Sequence, residues 1–361
     1  MKFQMLKTGL FACAFCLAAG ATIAQTPAIG RSWKSVATRM PEQWYGTDEA
    51  KAVAENVLLY QRDAGGWPKN TPMHKPLSDA EKAELLKQKS ELGATLDNDA
   101  TTTELKFLAK VYTQTGDERY RRAFDKGLNY IFAAQYDNGG WPQFYPLRQG
   151  YYTHITFNDD CMVNILNVLS DIFNRTGVYA FAETDENVAR AKAAFDKGID
   201  CILKTQIVKN GQKTVWCAQH DEVTLAPAKA RAYELPSYSG GESVGIVLLL
   251  MKLPNPSPEI VRAVDGAVKW FEEHKIEGIR LETKEANGEY NRHIVSDPNA
   301  PAMWARFYDL ETEKPFFCDR DGIKKATLAE IGYERRNGYG WYTTAPQRVL
   351  DAYPTWKASL K

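Results

Sequence analysis

A block that recurs at a fixed interval constrains this chain more than any other feature. Gln61, three residues and Gly65-Gly66-Trp67-Pro68 match Gln135, three residues and Gly139-Gly140-Trp141-Pro142, 74 residues further on. Gln206 is followed by Asn210-Gly211 and Trp216 about one interval later, and Val268 to Gly278 is a weaker fourth copy. Each later block follows an apolar-striped segment, and the pattern predicts helices over Tyr120 to Ala134, Val188 to Thr205 and Pro258 to His274. Each of these is preceded by another, at Ala100 to Thr115, Asp160 to Thr176 and Glu242 to Leu253. Leu105, Leu108, Val111 and Tyr112 form one apolar stripe at helical spacing, and Met162, Ile165, Leu166 and Leu169 form a second. A period of about seventy residues holding two helices and a Gly/Trp turn implies stacked or circular packing, because one hairpin cannot bury its apolar face alone. The expected fold class is mainly α: an incomplete (α/α) toroid of repeated helix hairpins, with long loops and a few short strands such as Lys213 to Ala218.

The N-terminal residues read as a targeting segment. Lys2 and Lys7 precede the apolar run Gly9 to Ala21, which is too short to span a bilayer, and small residues lead to Ala24-Gln25. Residues 1–24 are read as a signal peptide, 25–45 as a leader that packs across the domain, and 46–361 as a single catalytic domain. About 335 residues remain after cleavage, enough for one large domain. The expected location is secreted or periplasmic, as a monomer with no membrane partner. Lys and Arg together number 45, as do Asp and Glu, so no bulk field captures a polyanion, which would need a local basic site. No GxGxxG or P-loop occurs, and nucleic acid is not an expected partner. Nine Trp and eighteen Tyr suit sugar stacking in an exported chain, and suit a core equally well. Cys161, Cys201, Cys217 and Cys318 form no CxxC pair or zinc spacing; disulfides among them and buried free thiols both stay open.

Chemistry crowds into Trp216 to Gly245, a long loop feeding the apolar run Val244 to Met251. Trp216, Tyr233 and Tyr238 offer flat apolar faces, His220, Asp221, Glu222 and Glu234 can titrate or bind cations, and Lys229 and Arg231 can hold anions. The plain alternative is a solvated connector. Two carboxylate clusters, Asp97-Asn98-Asp99 and Asn158-Asp159-Asp160, open helices in successive repeats. Either alone reads as helix capping, and Thr101 with Glu104 resembles a capping box. Placed at equivalent repeat positions, both can meet at one rim, where converging oxygens suit Ca²⁺. The Gly-Gly-Trp-Pro turns can be structural staples, which is the reading preferred for Trp67. Trp141, close to Tyr145, Arg148, Tyr151, Tyr152 and His154, is assigned with Lys229 and Tyr233 to a sugar-binding surface. His154 and His220 are candidate general bases, and no Ser or Cys sits in a nucleophile elbow.

Seven motifs in order carry a family resemblance. They are Gly65-Gly66-Trp67-Pro68-Lys69-Asn70, Asp97-Asn98-Asp99-Ala100-Thr101-Thr102, Gly139-Gly140-Trp141-Pro142-Gln143, Phe157-Asn158-Asp159-Asp160, Trp216-Cys217-Ala218-Gln219-His220-Asp221, Ala230-Arg231-Ala232-Tyr233-Glu234 and Arg306-Phe307-Tyr308. Together they resemble the family 10 pectate lyases, from about Pro41 to Trp341. The resemblance implies an (α/α) toroid and calcium-assisted β-elimination of α-1,4-polygalacturonate to 4,5-unsaturated oligogalacturonides. By position Arg231 matches the arginine proposed as base, Asp97 and Asp159 match the acidic residues near the metal, and Arg306 and Arg320 match uronate-binding arginines.

A guanidinium is a poor base, since its pKa lies above about 12. A cationic site of Ca²⁺, Lys229 and other arginines is expected to lower it, with activity rising into the alkaline range. Two rivals remain. One is a helical-toroid hydrolase acting on uronides through Asp97 and Asp159. The other is a non-catalytic pectin-binding protein, which would need no Arg231.

Overall fold

The computed structural model describes residues 28–360 apart from Glu183 and Asn287. The expected signal peptide, 1–24, and the first residues of the leader lie outside the described residues. The chain is mainly helical: α1 (Trp33–Arg39), α2 (Asp48–Tyr60), α3 (Asp79–Lys87), α4 (Thr102–Thr115), α5 (Glu118–Ala134), α6 (Cys161–Phe173), α7 (Asp185–Thr205), α8 (Glu242–Met251), α9 (Pro258–Glu273), α10 (Tyr333–Gly338) and α11 (Gln347–Ser359). The helices begin where short polar side chains accept backbone N–H groups: Thr47 for α2, Asp117 for α5, Thr184 for α7 and Ser257 for α9. The pairs α4–α5, α6–α7 and α8–α9 are the helix hairpins that the repeat predicts. They pack in series, α4 on α6, α6 on α8 and α7 on α9, with α2 against α4 and α5 and α11 against α8 and α9.

The Gly/Trp turn is what fastens one hairpin to the next. Trp67, Trp141, Trp216 and Trp304 are all fully buried. Each indole Nε1–H donates to a carbonyl near the end of the preceding helix: Val57 at 2.8 Å, Ile131 at 2.9 Å, Ile202 at 2.8 Å and Phe271 at 2.9 Å. The recurrent glutamine reaches further. Gln61 Nε2 donates to Gly65 in its own turn and to Ala123 of the next repeat, both at 2.8 Å. Gln135 bonds Gly139 and Ala194 in the same way, and Gln206 bonds Thr214 and Ala263. The turns lie flat on the next helix only because they lack side chains. A Cβ on Gly139, at φ 91°, would sit 2.0 Å from the Lys197 carbonyl.

Two expectations need correction here. The fourth staple is Trp304, whereas the weak copy at Val268 to Gly278 would have supplied Trp270. A strand pair, Ile279–Ala286 with Glu289–Ser296, is inserted between α9 and that tryptophan. It is the longest sheet among the described residues, the other strands being two or three residues long. Its sequence signal, alternation around Asn287-Gly288, is a hairpin signature. The strand expected over Lys213 to Ala218 is confined to Lys213, in the pair Val208–Lys209 with Gln212–Lys213. Beyond it the Trp216 indole is anchored to Ile202, the Trp216 backbone N–H donates to the Ser243 hydroxyl at 3.0 Å and its carbonyl accepts the Ser239 N–H at 2.8 Å, so these bonds form no continuous ladder with one strand.

The described part of the leader packs on α4, where the Trp33 indole donates to Glu104 at 2.6 Å and Trp44 and Tyr45 are buried. Cys161, Cys201, Cys217 and Cys318 are free and buried. Among the described residues no helix is long and apolar enough to cross a membrane.

Candidate active site

The two carboxylate clusters end up side by side. Asp97, Asn158, Asp159 and Arg231 line one narrow polar groove with Lys69 and Gln143. Lys69 and Gln143 directly follow the prolines of the first two Gly/Trp turns, so equivalent repeat positions supply both halves of the lining. Tyr151 and Glu234 complete the wall on the loop side.

Capping does not account for the aspartates. At α4 the Thr101 N–H is met by Glu104 Oε2 at 2.6 Å, as the capping box requires, while Asp160 at the start of α6 makes no side-chain cap. Asp97 is almost wholly buried, at 3 % exposure. One of its oxygens takes the Lys69 ammonium, and Oδ1 has no partner. A buried carboxylate oxygen without a donor is costly unless something else meets it. Asp159 is held by Asn158, whose side-chain amide donates to Oδ2 at 2.8 Å. Burial pushes the Asp159 carboxyl up; Arg306 opposes this, while Glu242 and Asp97 add to it. The donors are carboxylate oxygens, one of them buried and unpartnered, and so fit a hard divalent cation.

Two arginines act on Asp159. Arg306 Nη2 donates to Asn158 Oδ1 at 2.9 Å and to Glu242, and lies 3.8 Å from Asp159. Arg231 is gripped by Glu234. Its Nε donates to Oε2 at 2.7 Å, its Nη2 donates to Oε1, and its backbone N–H also reaches Oε2 at 3.1 Å. The expectation that nearby cations depress the guanidinium is therefore corrected. Burial pulls Arg231 down, but the Glu234 carboxylate more than offsets this and leaves it raised. Glu234 is itself held below the usual carboxylate range, its burial outweighed by Arg231 and Tyr339.

Other candidates lie elsewhere. Trp141 is fully buried and bonded to Ile131, so it has no face for a sugar and serves as a staple like Trp67. Tyr233, 3 % exposed, is packed among Arg231, Arg335 and Arg320 at 5.0, 4.6 and 5.9 Å from its ring, so it supports the arginines from behind. Arg320 is exposed, pairs with Glu334 through two nitrogens, and does not line the groove. Lys229 is exposed beside Gly322, also off the lining. His220 is no free base. It is fully buried, its Nε2 accepts the Cys217 N–H at 3.1 Å, its Nδ1 meets the Leu225 carbonyl at 2.9 Å, and burial lowers it to about 4. His154 Nδ1 is 2.9 Å from Glu222, and with Asp221 these form a second cluster whose ligand atoms lie within 4.8 Å of one another.

Sequence reasoning missed Lys69, Gln143 and Glu242 as site residues, and named Glu234 only as a group able to titrate or bind a cation. The signal for the first two was their shared place after the repeated Trp-Pro. Glu242 carried none beyond its place at the α8 start.

The family model described as pectic acid lyase matches residues 61–350. A solved structure titled an aspartate-to-alanine mutant of a family 10 polysaccharide lyase from Cellvibrio cellulosa, in complex with trigalacturonic acid, is 38% identical. The match covers 90% of this chain and 95% of that one, with a TM-score of 0.77. A second structure, titled a family 10 polysaccharide lyase from Cellvibrio cellulosa, is 39% identical over 88% of this chain and 96% of its own, with a TM-score of 0.76. A search of curated proteins gave no match.

Proposed function

Because the chain belongs to the pectic acid lyase family and is a polysaccharide lyase, we propose that its groove cleaves α-1,4-polygalacturonate by calcium-assisted β-elimination, with Arg231 as the base. The observation that carries this reading is the convergence of Asp97, Asp159 and Arg231, from three distant segments, on one polar groove. The trigalacturonic acid named for the Cellvibrio relative supports the substrate class.

Asp97 and Asp159 would hold the calcium, the unpartnered Asp97 Oδ1 being the oxygen best suited to it. Bound there, the ion supplies electron withdrawal from a uronate carboxylate and so steadies the charge that develops beside it. The protein does the rest. Arg306, already oriented by Asn158 and Glu242, presents a guanidinium to a second carboxylate oxygen. Arg231 Nη1 faces no competing acceptor among the described residues; once the guanidinium has given a proton to solvent hydroxide, the neutral side chain takes the C5 proton there. The electron pair left on C5 forms the C4–C5 double bond as the C4–O4 bond breaks, O4 takes a proton from water, and the unsaturated sugar is the new non-reducing end. Lys229 and Arg320, off the groove and exposed, contact uronates of a longer chain.

The reading extends to the rest of the expectations. The helix hairpins close into an incomplete (α/α) toroid, residues 46–361 act as one catalytic domain, and the protein is a secreted or periplasmic monomer released from a signal peptide. Product analysis on de-esterified polygalacturonate tests the chemistry. Unsaturated oligogalacturonides absorbing in the ultraviolet are expected. Saturated oligomers with new reducing ends would replace elimination by hydrolysis, and binding without products would leave a pectin-binding protein.

A further inference from the structure

We propose that Glu234 is the positioning residue of the site: with Tyr339 behind it, it holds Arg231 by Nε and Nη2, so that Nη1 alone is turned to the substrate. The inference rests on the reading of Arg231 as base.

Three observations support it. The grip is bidentate and charge-assisted, and the Arg231 backbone N–H bonds the same carboxylate, so both ends of the arginine are fixed by one residue. Glu234 is buried, at 7 % exposure, and its Oε1 also accepts the Tyr339 hydroxyl at 2.7 Å, so the carboxylate cannot swing. Tyr233 and Tyr339 lie 5.0 and 5.5 Å from the guanidinium, which limits its tilt. Of the side-chain nitrogens only Nη1 has no partner among the described residues.

The same grip opposes proton abstraction, because a carboxylate beside a guanidinium favours its charged form. Glu234 thus trades basicity for alignment. The other charged or titratable groups facing Arg231 are Tyr151 from the 151–153 turn, Asp159 from the second carboxylate cluster, Arg335 from α10, and Tyr233 and Tyr339. None of them reaches it with two hydrogen bonds, so the carboxylate dominates.

The test is the pH profile of kcat and KM on de-esterified polygalacturonate for Glu234→Gln, Glu234→Ala and Arg231→Ala, each checked for wild-type circular dichroism. Glu234→Gln keeps the shape and one acceptor but removes the charge. Its acidic limb is expected to move to lower pH by roughly 1–3 units, with KM unchanged. Glu234→Ala removes the grip, and kcat should fall on the order of 10²-fold at every pH without a matching rise in KM. A Gln variant whose profile superposes on wild type, with Arg231→Ala inactive, would overturn the role of Glu234 alone. Retained activity in folded Arg231→Ala would overturn the reading of the base itself, and this inference with it.

Discussion

Asn98 and Asp159 adopt the same left-handed backbone at the same place in successive repeats, with φ of 53° and 52°. The residues after them, Asp99 and Asp160, follow at 59° and 57°. A non-glycine residue in this region costs on the order of 1 kcal/mol or more, and persists only where the surroundings impose it. These four, with Thr101 at 66° as a fifth in the first turn, lie at the starts of α4 and α6, beside one groove. The repeat thus builds the site by using one strained turn twice, with aspartate and asparagine, which tolerate αL, in the demanding positions.

Asp159→Asn keeps that turn and removes a charge. Turnover should fall on the order of 10²-fold, since the electrostatic work of the site is lost. Stability should not fall, because burial and the Glu242 and Asp97 carboxylates already disfavour the ionised form. Parallel measurement of kcat and the urea midpoint checks both halves; a large drop in the midpoint would show that Asp159 is structural.

Trp141→Ala separates a staple from a sugar-binding ring. A fully buried indole that ties α5 to the turn should cost about 3–5 kcal/mol when truncated. KM for polygalacturonate should be unchanged in the fraction that folds. Urea unfolding with steady-state kinetics distinguishes the two; weakened binding at unchanged stability would restore Trp141 to the groove.

Glu104 predicts a pH dependence of folding. Burial raises its carboxyl from 4.5 to about 7, against the Trp33 and Thr101 donors that lower it. Between those values the folded state binds more protons than the unfolded one. The contribution is therefore fully present below pH 4.5 and is lost as pH rises through 7, by roughly 3 kcal/mol. Denaturant midpoints at pH 5 and pH 8 should differ less in Glu104→Gln than in wild type. Equal differences would mean that Glu104 is ionised throughout.

Much of this was legible in the residues. The Gln and Gly-Gly-Trp-Pro spacing located the hairpins to within a few residues, because helix period and turn chemistry are local. The two carboxylate clusters were legible for the same reason, as equivalent positions of a repeat. What was hidden depends on packing. Trp141 and Trp67 carry one pattern, and the aromatic residues near Trp141 suggested a surface that its own indole does not join. Tyr151, from that same group, does line the groove. The direction of the Arg231 shift depended on which neighbour came closest. Sequence offers Lys229 two residues before Arg231 and Glu234 three after, and only the folded loop brings the carboxylate into bidentate contact.

The most direct measurement is ultraviolet absorbance during digestion of de-esterified polygalacturonate, with calcium or with chelator, for the wild type and Arg231→Ala. The account predicts absorbance growth that needs calcium, rises into the alkaline range and disappears in the folded Arg231→Ala variant. Reducing ends formed without absorbance, or growth that persists in the variant, would contradict it.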